Sequence, residues 1–242
     1  MIFLLHLFMK LKLTPSYILS FLCLNWLVME LHEWAHTMVA ALVSGRWGLR
    51  EFDHWEYGSI VPVSNGFQAM AMLVGPLINF LVLWRGWKRL ANMESLADQS
   101  LGCSLVLAAM PMGLLIAAFS GGGDVTVGLK LLFSHIDGIY HHVMAGIGLV
   151  IILVATVPPL VRTFLVLPSW GSRFIFFPIF LFAPIWFHHL VMNSLNKLMR
   201  HFEADQSMNY AWVVVWTFAL ICGWIFTRRR LEGLLVDREL PL

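Results

Sequence analysis

The chain has 242 residues, 59% hydrophobic and 12% charged, with a formal net charge of +2. Soluble domains average about 25% charged residues, so the composition excludes an ordinary soluble domain. It reads as an integral, multi-pass membrane protein, residing in the cell membrane if the source is prokaryotic. The small net charge gives no basis for binding nucleic acid. The three cysteines lie scattered in apolar segments and imply neither a disulfide framework nor a cysteine metal site.

Residues 1–15 are apolar but interrupted by Lys10 and Lys12, and are expected to lie at the membrane interface as a lead-in rather than to be cleaved. Six stretches then reach the roughly 20 residues a helix needs to cross about 30 Å of hydrocarbon. They run over about 16–43, 67–84, 101–119, 139–160, 174–191 and 210–226. The third breaks at Ser120-Gly121-Gly122-Gly123-Asp124 and is expected to resume as helix through Leu132.

Between the first two stretches, Gly45 to Gly66 is rich in charges and aromatics and contains Ser59-Ile60-Val61-Pro62-Val63. That run fits a short extended edge able to pair with an unwound substrate backbone, and equally an interfacial loop anchored by its aromatics. The expected fold is an all-α polytopic membrane protein of about six transmembrane helices with a short β-like segment at the membrane face. Residues 16–132 form a three-span core, 133–228 three additional helices, and 229–242 a short polar tail. Counting Lys10, Lys12, Arg85, Lys88, Arg89, Arg162, Arg173 and the Arg228-Arg229-Arg230 run by the positive-inside rule favours both ends in the cytoplasm, while the sequence leaves the orientation open.

The chemistry concentrates at His32-Glu33-Trp34-Ala35-His36, a His-Glu-x-x-His motif inside the first apolar stretch. Residues four apart share a helix face, so His32 and His36 can grip one zinc ion, with Glu33 placed to take a proton from water. Ionisable groups in an apolar span are costly and mark function. A hydrolytic zinc takes three protein ligands and keeps one position open. The glycines before Asp124 free the backbone to turn a carboxylate inward, which makes Asp124 the leading third ligand and Asp137 its rival. The alternative for Asp124 is a helix N-cap on an exposed loop. Asn25 and Glu30 share the motif's helix and are assigned polar contacts only.

Three elements in order resemble the site-2 protease family of intramembrane zinc metalloproteases. They are His32-Glu33-x-x-His36, then Gly75-Pro76-Leu77-Ile78-Asn79 in the second stretch, then an aspartate after the third. The resemblance covers about residues 16–132. It implies that His32, His36 and Asp124 bind Zn2+, that Glu33 activates water, and that Asn79 contacts substrate backbone or a reaction intermediate, the equal alternative for Asn79 being a polar packing contact beside the Gly75-Pro76 kink. The implied substrate is a transmembrane protein or peptide, cut within or near its membrane-spanning segment in regulated intramembrane proteolysis. In the family a proline stands shortly before an Asp-Gly pair, whereas here glycines precede Asp124 and Val125 follows it.

Two other readings compete. A metal or proton transporter needs polar groups strung along a path across the bilayer, and the second, fifth and sixth stretches offer few. An inactive scaffold binding membrane proteins has no use for Glu33. The adjacent pairs His141-His142 and His188-His189 point their side chains apart on a helix, and are expected near span ends rather than at the metal.

Overall fold

The computed structural model describes residues 9–58, 63–134, 140–201 and 206–237. Thr14 begins the first helix by accepting a hydrogen bond from the Tyr17 amide at 3.1 Å, with Pro15 at the first helical position, where no amide hydrogen is needed. This helix, α1 (Pro15–Ser44), ends at Gly45 in the left-handed region at φ 72°. Helix α2 (Asn65–Leu90) continues past the expected end at 84 into Arg85, Lys88 and Arg89. It is the central element, packed against α1, α3 (Leu96–Ala108), α5 (Gly123–Leu132) and α6 (Tyr140–Val166).

The third expected span is broken earlier as well as later. Helix α3 stops at Ala108 and α4 (Pro111–Phe119) starts after Met110, whose φ of 50° is left-handed. Pro111 has no amide hydrogen to continue the ladder. The carbonyls freed by the break find side chains instead: Asn25 Nδ2 donates to Ala108 O and Asn79 Nδ2 to Ala109 O, both at 2.9 Å. Buried backbone acceptors need such partners, so Asn25 has a structural task that its position in α1 alone did not reveal.

A π-helical turn (Ser172–Phe176) leads into α7 (Phe177–His201), and α8 (Gln206–Thr227) follows. Among the described residues five helices, not six, are long and apolar enough to cross a membrane: Asn65–Leu90, Leu96–Phe119, Tyr140–Val166, Ser172–His201 and Asn209–Gly233. With 30 residues, α1 has the length, but Asn25, Glu30, His32, Glu33 and His36 dilute its apolar character.

The segment expected to be a polar tail is instead partly core. After a 3-10 turn (Arg228–Gly233), strand β2 (Leu235–Asp237) pairs antiparallel with β1 (Met9–Leu11), with Lys10 opposite Val236. Leu231, Leu234 and Leu235 are buried in one cluster with Tyr17, Leu90 and Cys103. The Leu235 amide donates to Ser100 Oγ at 2.9 Å. All three cysteines are free, as expected.

Between α1 and α2, Arg50 and Trp55 form an isolated antiparallel bridge, closed by Glu51 N to His54 O and Glu56 N to Leu49 O. The run Ser59 to Pro62, proposed as an edge strand, lies outside the described residues, as does Asp137. The bridged loop is clamped from three sides. Arg50 is fully buried and pairs with Glu30 Oε1 at 2.8 Å. Arg200 on α7 grips both Glu51 oxygens, at 3.0 and 2.8 Å. Tyr210 on α8 donates to Gly48 O at 2.8 Å.

Candidate metal centre

One and a half turns of α1 and the first turn of α5 meet beneath that loop. His32 and His36 are four residues apart on the buried face of α1, 4% and 1% exposed. Gly121 (φ 72°) and Gly123 (φ 77°) take left-handed conformations that side chains disfavour, and so let the chain turn Asp124 toward the histidines. The helix cap is Gly122, and Asp124 does not serve as an N-cap. Its Oδ2 lies 3.2 Å from His32 Nε2 and 3.4 Å from His36 Nε2, and the two Nε2 atoms stand 2.9 Å apart. The three ligand atoms lie within 4.8 Å of one another, a group able to hold a metal ion.

The hydrogen bonds behind the rings fix how the two imidazoles face the carboxylate. His36 Nδ1 faces the Ala71 carbonyl at 2.6 Å, an acceptor, so Nδ1 carries the proton and donates. Asn79 Nδ2 donates to Ala109 O and to Met29 Sδ, so its Oδ1 faces His32 Nδ1 at 2.6 Å and accepts. In neutral imidazoles only one nitrogen bears hydrogen. Both Nε2 atoms therefore present lone pairs to each other and to a carboxylate. Three acceptors so placed repel one another unless a positive charge, a shared proton or a metal ion, lies among them. Backing of each imidazole by a carbonyl is how metal-binding histidines are oriented.

The packing is specific to these rings. A Cβ added at Gly75 would overlap the His36 imidazole, so the glycine before Pro76 is a close approach of α2 to the site. On the loop side Trp55 stacks on His36, with ring centres 5.2 Å apart and planes 17° apart. Tyr57, on the same loop, donates to Gln68 O at 3.1 Å, and burial pushes its phenol up to about 12, so it remains neutral.

Glu33 and Asp124 line two spaces. One, of about 440 Å³, lies under the loop between Trp55, Tyr57 and Met72. The other, of about 300 Å³, lies between Met29, Pro76, Met110, Leu114 and Ile152. Glu33 Oε2 is buried and accepts no hydrogen bond, which leaves a carboxylate oxygen available beside the triad. Asn79, expected to touch substrate, is 1% exposed with both ends of its amide engaged inside the protein. Its observed contacts position His32 and mend the α3–α4 break.

The site also includes residues that sequence reasoning set aside. His188 is buried on α7 and lines the smaller space, whereas His189 is exposed and His141 and His142 are exposed at the start of α6. The signal available for His188 was its place in the stripe Leu181, Pro184, His188, Met192, Asn196, Met199, all of which are buried. No protein-family model, curated protein or solved structure matches the chain.

Proposed function

We propose that this chain is a multi-pass intramembrane zinc metalloprotease, similar to the site-2 protease family, that hydrolyses peptide bonds within or near transmembrane segments of other proteins. The observation that carries the reading is the convergence of His32 Nε2, His36 Nε2 and Asp124 Oδ2, 2.9 to 3.4 Å apart. Donors bound to one tetrahedral zinc at roughly 2.0–2.2 Å would stand about 3.3 Å from each other. Two nitrogens and one carboxylate oxygen also match the donor set of hydrolytic zinc sites.

Zinc held there would supply Lewis acidity, polarising a carbonyl and easing loss of a proton from water. Glu33, with its unpaired oxygen, takes the proton of the attacking water and delivers it to the leaving amine. The apolar walls of the space keep bulk water from the reacting groups. The substrate must arrive locally unwound, because an intact helix occupies its carbonyls in its own ladder. The five long apolar helices, and exposed side chains such as Leu42, Val154, Trp186 and Phe226, support a bilayer as the surroundings. With α1 counted, the spans number six.

The test compares the purified parent with Glu33→Gln and His32→Ala. Bound zinc is measured by elemental analysis, and cleavage on a panel of membrane-spanning peptides. Glu33→Gln is expected to keep zinc and lose cleavage, and His32→Ala to lose both. A parent that binds no zinc, or that cuts no peptide while moving metal across vesicles, overturns the proposal.

A further inference from the structure

The geometry points to His188 as an additional catalytic residue: we propose that its imidazole donates an N–H hydrogen bond to the carbonyl oxygen of the peptide bond under attack. This rests on the proteolytic reading above and adds a group from outside the three-helix segment that carries the motif.

Three observations support it. His188 is 6% exposed, and its Nδ1 is enclosed without a hydrogen-bond partner. Leaving a buried polar atom unpaired is costly, so a retained imidazole of this kind calls for a partner the protein does not itself provide. His188 lines the same space as His32, Glu33, Asn79 and Asp124, where a scissile bond would have to lie. Its position is also held firmly. Two turns further along α7, Asn196 accepts from Phe52 N at 3.0 Å and donates to Asp53 Oδ1, and Arg200 grips Glu51. The loop that roofs the metal centre thus sets the height of α7 beside it.

The other polar groups of this space are less suited. Asp53 is already bonded by Asn196, and a carboxylate would repel a developing oxyanion. His189 also lines this space but is exposed, and Asn79 has spent its donors on Ala109 O and Met29 Sδ. Of these, His188 is the buried group that brings an unspent N–H. In the reaction, the water oxygen bonds to the carbonyl carbon, the C–N bond breaks, and the water proton travels through Glu33 to the amine nitrogen. His188 keeps its own proton throughout, sharing it with the carbonyl oxygen as negative charge gathers there. Donors aimed at such an oxygen act chiefly in the transition state, and removing one costs roughly 10²–10³ in rate.

The experiment uses the full-length protein with a membrane-spanning peptide and compares the parent with His188→Phe, His188→Leu and His188→Gln. Zinc content, thermal unfolding, kcat and KM are read for each. His188→Phe and His188→Leu, two shapes without an N–H, are expected to keep zinc and folding and to lose about 100-fold in kcat, with KM within a few-fold. His188→Gln, which retains an N–H, is expected to recover at least part of that loss. Parental kcat in His188→Phe or His188→Leu, or a loss confined to zinc content or KM, overturns the role while leaving the proteolytic reading standing. A parent that cuts nothing removes both.

Discussion

Asn79 Oδ1 accepts the Nδ1 proton of His32 at 2.6 Å while its Nδ2 donates to Ala109 O at 2.9 Å. One amide therefore fixes the ring that faces the candidate metal and closes the gap in the broken helix. The two tasks can be separated. Asn79→Leu removes both, and metal affinity is expected to fall about 10–100-fold, as for other residues that back a ligand. Asn79→Asp keeps an acceptor for His32 but offers Ala109 no donor. It should hold its metal within a few-fold of the parent and unfold at a lower temperature. Chelator competition and thermal unfolding, run on both variants, check this. Equal metal loss in the two would refute the division of labour.

Gly75→Ala places a Cβ on the His36 ring. The imidazole must rotate away from Ala71 O, and metal affinity is expected to drop at least about tenfold. Gly66→Ala, on the same helix with nothing within 4 Å of the added carbon, is the control. Titration of both against a zinc indicator decides the matter, and unaltered affinity in Gly75→Ala counts against the ring position described.

Asp124→Asn replaces a charged ligand oxygen with a neutral one beside two histidines. Bound metal should fall below half of the parental content in dialysed protein, and cleavage should disappear. Asp137→Asn, at the other acid the sequence offers, should leave both unchanged. Reversal of these two results would move the third ligand to Asp137.

Arg50→Met leaves Glu30 buried without its cation, with only Thr217 Oγ1, 3.3 Å away, still beside it. Breaking a buried pair from one side costs about 3–5 kcal/mol, whereas replacing both members often costs little. Arg50→Met is therefore expected to be severely destabilised, and Glu30→Leu with Arg50→Met largely restored. Denaturant unfolding in detergent measures both, and a single variant as stable as the parent would contradict the buried pairing.

The sequence announced the helices and the triad because both are periodic or spaced signals. The first stretch, expected over 16–43, is α1 at Pro15–Ser44, and His32, His36 and Asp124 converge as their spacing and the glycines before Asp124 predict. The break at Met110 was hidden because apolar residues continue through it, and its compensation lies in Asn25 and Asn79, distant in sequence. Strands β1 and β2 have three residues each and are joined only by tertiary contact, too short for any periodicity to register. In sequence Arg50 is one of the loop's charges and Glu30 offers only an unspecified polar contact, since the pairing that permits their burial spans 20 residues. His188 was obscured by its neighbour: the pair was judged together, although one ring is buried and the other exposed.

Because Lys10 stands opposite Val236, the two ends of the described chain are stitched side by side. In a bilayer that stitch imposes a parity. A chain that crosses an odd number of times leaves its ends on opposite faces, with the hydrocarbon between them, and no backbone ladder could join them. On the membrane reading proposed above, the five long apolar helices leave one crossing to be supplied, and α1, polar as its metal face is, is the element long enough to supply it. Tags placed before β1 and after β2 should both be reached by a protease on the same side of sealed vesicles, and neither from the other.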